Sequence, residues 1–151
     1  MTDSPIEIRG LDEIIKRMKA YPQKLTDSVR VTMTAALLAL WENVPPYAPE
    51  PEDSTYVRTG TLGRTLGSGM EGGQAGQPDV FYVREMGSEW EAHFGTNLEY
   101  APYVIGDDTQ AAVHQGRWWT IRTVAEKASA KIDSLFETLV NKLAAFLEKG
   151  S

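Results

Sequence analysis

Apolar residues recur with a helical period at both ends of the chain and with a period of two in the middle. Between Pro22 and Val44 they fall at Leu25, Val29, Met33, Ala36, Leu37, Leu40 and Val44, steps that lay one stripe along a helix. Proline suits the first helical position, so Pro22 opens this helix, and Pro45-Pro46 closes it because neither residue can donate the helical hydrogen bond. A longer pattern begins at Ile121. Val124, Ala125, Ala128, Ile132, Leu135, Phe136, Leu139, Val140, Leu143 and Phe146 keep the period up to the stop at Gly150, one long helix with room for a single break near Thr123. A shorter helix is expected from Leu11 to Ala20, with Leu11, Ile14, Ile15 and Met18 on one face and Asp12 and Glu13 in the first turn.

In the middle, Val80 to Met86 is rich in aromatic and β-branched residues, and Trp90, Ala92 and Phe94 then alternate with Glu89, Glu91 and His93 up to Gly95. The two runs are joined by Gly87-Ser88, a two-residue turn that predicts an antiparallel hairpin with one buried and one wet face. Ile6-Glu7-Ile8, stopping at Gly10, adds one short strand. Val44 to Asp53 holds four prolines and reads as an extended surface loop. Thr59 is placed to cap a short turn through Leu62 and Leu66, and the glycine-rich run from about Gly67 to Gln77 is expected to be a flexible loop. The sum is a single α+β domain over 1–151: N-terminal helices and a long C-terminal helix packed on a small antiparallel β-sheet.

Composition narrows the function. The 151 residues carry 15 Lys and Arg against 21 Asp and Glu, a formal net charge of -6, which argues against nucleic-acid binding driven by clustered cations. The charge is uneven: net -1 over 1–50, -7 over 51–110 and +2 over 111–151. There is no cysteine, so neither a disulfide scaffold nor a thiol nucleophile is available. The longest apolar run, Ala35 to Trp41, is far short of the ~18 residues a membrane span needs, and Met1-Thr2-Asp3-Ser4-Pro5 does not resemble a signal peptide. A soluble chain made in the cytoplasm is expected.

Several residue groups suggest chemistry. Gly67-Ser68-Gly69-Met70-Glu71-Gly72 matches G-x-G-x-x-G, but a dinucleotide cradle needs a strand before it and a helix after it. Here Gly73-Gln74-Ala75-Gly76-Gln77-Pro78 follows, so the loop reading is preferred and no cofactor is expected. His114 with Asp107 and Asp108 is a candidate metal-dependent hydrolase site, although the spacing matches no ligand pattern and an acidic turn explains the Asp pair equally well. Glu89, Glu91 and Glu99 could supply paired carboxylates, against which stands a solvated charged strand. Arg117-Trp118-Trp119 is the remaining group. Adjacent aromatics point in different directions, so at least one is expected to be exposed or to meet a partner, as in a regulatory module docking through Trp118 and Trp119.

The order of pieces resembles one family. Ile8-Arg9-Gly10-Leu11-Asp12-Glu13 opening a helical region, then Pro49, then Arg58-Thr59-Gly60-Thr61-Leu62-Gly63-Arg64-Thr65-Leu66, then Gly95-Thr96-Asn97-Leu98-Glu99-Tyr100-Ala101-Pro102-Tyr103-Val104, is similar to the minor tail, tail-completion or head-to-tail joining (neck) proteins of long-tailed bacteriophages and prophages. The resemblance spans roughly 6–148. It departs from the family at Leu62-Gly63-Arg64, where the basic residue is displaced by one, and after Val104, where Gln110, His114 and Gly116-Arg117-Trp118-Trp119 form a segment of their own.

The resemblance implies a structural virion protein without catalysis. It would be made in the bacterial host cytoplasm and carried into the neck or tail, where it assembles as a homo-oligomeric ring beside adjacent neck and tail-tube proteins, touching neither membrane nor specific nucleic acid. Thr59, Gly60, Leu62, Arg64, Gly95, Thr96, Tyr100, Ala101, Tyr103, Arg117, Trp118 and Trp119 are the candidate motif or interface residues. Ring subunits present two different faces to their neighbours. The glycine-rich loop is expected to order on assembly, and acidic residues such as Glu89 and Glu91 to line a lumen that repels passing DNA.

Overall fold

A computed structural model describes residues 22–87 and 89–149. The strand expected at 6–8 and the helix expected at 11–20 lie outside the described residues. The others form α1 (Pro22–Glu42), α2 (Thr61–Thr65), β1 (Val80–Met86), β2 (Glu89–Gly95), α3 (Ala101–Ile105) and α4 (Ile121–Lys149). The architecture is α+β: helices, among them the long C-terminal one, packed with a two-stranded antiparallel sheet.

The stripe on α1 does what its spacing predicts. Val29, Met33, Ala36, Leu37 and Leu40 have no exposed surface and Val44 almost none. The helix stops at Glu42, two residues before Val44. Asn43 ends it by donating its side-chain amide to the Ala39 carbonyl at 2.7 Å and its backbone N–H to Leu40 O at 3.0 Å, so the prolines follow a helix that a side chain has already closed. α1 runs antiparallel to α4: Glu42 meets Lys131 at 3.3 Å, whereas Asp27 and Val31 share a groove with Leu139 and Lys142.

α4 is continuous over 29 residues, and Thr123 does not break it. The Thr123 hydroxyl accepts the backbone N–H of Thr120 at 3.3 Å, the backward half of a capping box. Asp107, from a preceding loop, accepts the N–H of Arg122 at 2.9 Å and places an anion at the positive end of the helix.

The hairpin has the expected register, Val80 opposite Gly95 and Met86 opposite Glu89, with Gly87 at φ 61 in the turn. Trp90, Ala92 and Phe94 are buried against the helices and Glu89 is exposed. Trp41 of α1 meets Phe81 edge to face at 5.5 Å, and the Arg30 guanidinium lies 4.9 Å from the Trp90 ring. Glu91 does not offer a free negative charge to a lumen. It accepts from Arg84 at 2.7 Å and lies 3.1 Å from His93 Nε2, and these hydrogen bonds, that of His93 first, hold its carboxyl below the ordinary 4.5.

Three local features differ from expectation. Gly60, at φ 74, is the N-cap of α2. Thr59 sits one residue earlier, its hydroxyl 2.9 Å from the Thr61 hydroxyl and 3.4 Å from the Thr61 N–H. The start of the glycine-rich run is built into the fold: Trp41 Nε1 donates to Gly67 O at 2.7 Å, Ala75 N–H donates to the same carbonyl at 2.7 Å, and Ser68 is buried. A Cβ on Gly67 would stand 2.8 Å from Trp41 Nε1. The third feature is α3. Pro102 lies in its first turn, where a proline fits, and a pattern of only five residues is too short to show a period.

Candidate functional site: an aromatic cleft

The short helices α2 and α3 are positioned by the base of the hairpin. The Thr96 hydroxyl donates to Thr65 Oγ1 at 2.8 Å, the Asp79 N–H to Thr65 O at 2.7 Å and the Asn97 N–H to the Asp79 carboxylate at 3.3 Å. One joint therefore ties the end of α2, the start of β1 and the exit of β2. It brings the segments 58–66 and 95–104, some thirty residues apart in sequence, into contact.

Between them opens a cleft of about 510 Å³, within the roughly 300–1,000 Å³ of pockets that hold small ligands or side-chain anchors. Thr59, Gly60 and Leu62 come from the first segment, Tyr100 and Tyr103 from the second, and Arg117 and Trp118 from the loop before α4. Seven of the twelve candidate residues thus share one wall system. The other five act around it. Arg64 is exposed and donates to Thr61 Oγ1 at 3.1 Å. Thr96 belongs to the supporting joint, Gly95 pairs with Val80 next to it, and Ala101 is buried at the start of α3. Trp119 Nε1 donates to Pro46 O at 3.0 Å.

Tyr47, Tyr56, Arg58, Val113 and His114 also line it, and of these Tyr47, Tyr56 and Val113 carry no pattern that marks them in the sequence. Tyr47 stands in a proline-rich loop, and its hydroxyl accepts the Gly63 N–H at 2.7 Å. This explains Gly63 between Leu62 and Arg64: a Cβ there would lie 2.7 Å from the Ser68 carbonyl oxygen and 3.2 Å from the Tyr47 ring. Arg58 is sandwiched, 5.7 Å from the Tyr47 ring and 5.4 Å from that of Trp118, and pairs with Glu50 at 3.5 Å. Burial among the neighbouring phenols of Tyr47 and Tyr56 raises the Tyr100 hydroxyl above its ordinary 10.

The tryptophan pair is not an exposed anchor. Trp118 lies 5.0 Å from Tyr47 and 6.2 Å from Trp119, and both rings are half-buried against the core. The loop carrying them is fastened by Gln110, whose side-chain amide donates to Val104 O at 2.8 Å and to Trp118 O at 3.2 Å. The Asp107, Asp108 and His114 grouping is not assembled either. Asp107 caps α4, and among the described residues no three His, Asp or Glu side chains gather as a metal site. His114 instead faces Trp118 at 6.3 Å. Its Nδ1 is buried without a partner, and desolvation, then the neighbouring Arg117, lowers its pKa below 6.5.

The cleft offers aromatic faces, one neutralised guanidinium and one that is not. Arg117 is exposed and donates only to the carbonyls of Val113 at 3.3 Å and Pro49 at 3.4 Å, with no carboxylate paired to it among the described residues. Tyr56, Tyr103 and Val113 are 71%, 61% and 64% exposed around it. Such a surface suits an apolar anchor carrying an acidic group. Among the described residues no helix is long and apolar enough to cross a membrane. No family model matches the chain, and neither does a curated protein or a solved structure.

Proposed function

We propose that the protein is a structural component of the neck or tail of a long-tailed bacteriophage or prophage, a tail-completion or head-to-tail joining subunit acting by ring-type oligomerisation without catalysis. The observation that carries this reading is the convergence of the two segments on which the resemblance rests. The stretches 58–66 and 95–104 are bolted together by Thr96, Thr65 and Asp79 and line one open aromatic cleft. A cleft of this kind serves docking. The test is mass spectrometry of phage particles induced from the source strain: the chain is expected at low copy beside portal and tail-tube proteins, and its absence from intact tailed particles overturns the reading.

The same cleft favours a second reading, a regulatory module that docks a cellular partner beside Trp118. Recovery of one host protein in place of tail components from a pull-down with the full chain would support it.

A further inference from the structure

The cleft and the hairpin tip lie at opposite ends of the ribbon. α2 and α3 are tied to the end where Val80 faces Gly95, whereas Met86 and Glu89 lie six residue steps away, roughly 20 Å at the rise of an antiparallel strand. The tip cannot turn back into the cleft of its own chain. It is also the most exposed part of the ribbon: Arg84, Glu85, Met86, Gly87 and Glu89 all face solvent, with Met86 48% exposed. Among the described residues, Glu85 and Glu89 pair with no cation.

Tip and cleft are complementary. Met86 and Glu89 pair across the strands and so share one face of the tip, a flexible thioether beside a carboxylate, with the Glu85 carboxylate on the other face, and the cleft presents aromatic rings beside an unpaired guanidinium. Methionine sulfur packs favourably against aromatic rings, and a carboxylate on Arg117 gains a charge-assisted hydrogen bond. We propose that the tip of one copy, Met86 with Glu89 beside it and Glu85 on the other face, seats in the aromatic cleft of the next copy, against Tyr56, Tyr103 and Val113 with a carboxylate on Arg117. The inference rests on the ring reading above and says which two faces form its joint. The contact is heterologous, since one copy gives its tip and receives its neighbour's, so it propagates around a ring instead of ending at a dimer.

The chain has no cysteine, so it contributes no thiols other than those introduced. Particles are produced carrying Met86→Cys with Val113→Cys, each single variant, or a control pairing Met86→Cys with the equally open Val31→Cys. Oxidation is expected to give a ladder of covalent multimers from the first pair, collapsing to monomer on reduction, and no species above dimer from the single variants. A first pair that yields no more multimer than the control overturns the proposal while leaving the virion reading intact.

A charge swap tests it independently. Arg117→Glu, checked for an unchanged melting temperature, is expected to lower incorporation into particles at least tenfold, and Glu85→Lys with Glu89→Lys to restore it. Incorporation of Arg117→Glu at the wild-type level, or a loss that the lysine pair does not relieve, overturns the proposal. If the unaltered chain is itself missing from particles, the virion reading falls and this inference falls with it.

Discussion

The paired helices α1 and α4 and the aromatic cleft are held by different means. Between the helices contact is mainly apolar, Val29, Met33, Leu37 and Leu40 against Val124, Ala128, Leu139 and Leu143, with an exposed ion pair from Glu42 to Lys131. Around the cleft nearly every element is fastened by a directional bond: Tyr47 to Gly63, Thr96 to Thr65, Gln110 to Val104 and Trp118, Trp119 to Pro46. Apolar packing is tolerant of shape because it scales with area. Directional bonds hold loops in one arrangement at the cost of needing each partner in place.

The comparison is broken most severely at the shared core. Phe94→Ala removes a fully buried ring and is expected to lower stability by about 3–5 kcal/mol, read as an earlier urea midpoint with both regions melting together. A Gly63→Ala variant attacks the cleft alone. Its methyl meets the Ser68 carbonyl oxygen at 2.7 Å, so a cost of about 1–3 kcal/mol is expected, together with faster hydrogen exchange in 59–66 and no change along α1. If the whole chain loosens equally, the two regions are not separable.

These two sites also show what the sequence makes legible. The α1 and α4 stripes and the alternation of Trp90, Ala92 and Phe94 are periodic, and periodicity is the form in which burial is written into a sequence. Ile121 to Gly150 therefore reads as one helix without any knowledge of the fold. The cleft is assembled from aperiodic segments. Thr59, Gly60, Tyr100 and Tyr103 are legible as members of two motifs, but Tyr47 and Tyr56 are single aromatics in a proline-rich stretch, and Tyr47 is placed by Gly63 and Trp118, both far from it in sequence. Asp107 is hidden for the same reason. As one of two adjacent acids it fits an acidic turn or a ligand equally well, and only the position of Arg122 shows it to be a helix cap.

That cap gives a smaller test. Asp107→Ala is expected to destabilise the chain by about 0.5–2 kcal/mol, with fraying confined to the first turn of α4 and the midpoint shift falling as salt rises. The smallest effect is one of pH. His114 titrates below its ordinary 6.5 because burial disfavours the imidazolium and Arg117 adds repulsion. The folded chain therefore holds this proton more weakly than the unfolded chain. The stability involved is complete above 6.5 and is lost as pH falls from there through the lower folded value. His114→Gln should flatten the stability profile over that window, and an unchanged slope would show that the imidazole feels no burial.

One element belongs to both regions. The first turn of α4 follows directly on the Arg117-Trp118 stretch that lines the cleft, and its later turns lie along α1. At 29 residues it is a rod of about 43 Å at the helical rise of 1.5 Å per residue. The chain runs from the cleft wall at Trp118 into this helix with no element between them. A group docked beside Trp118 thus stands three residues from the start of the helix that buries Val124, Ala128, Leu139 and Leu143 in the core.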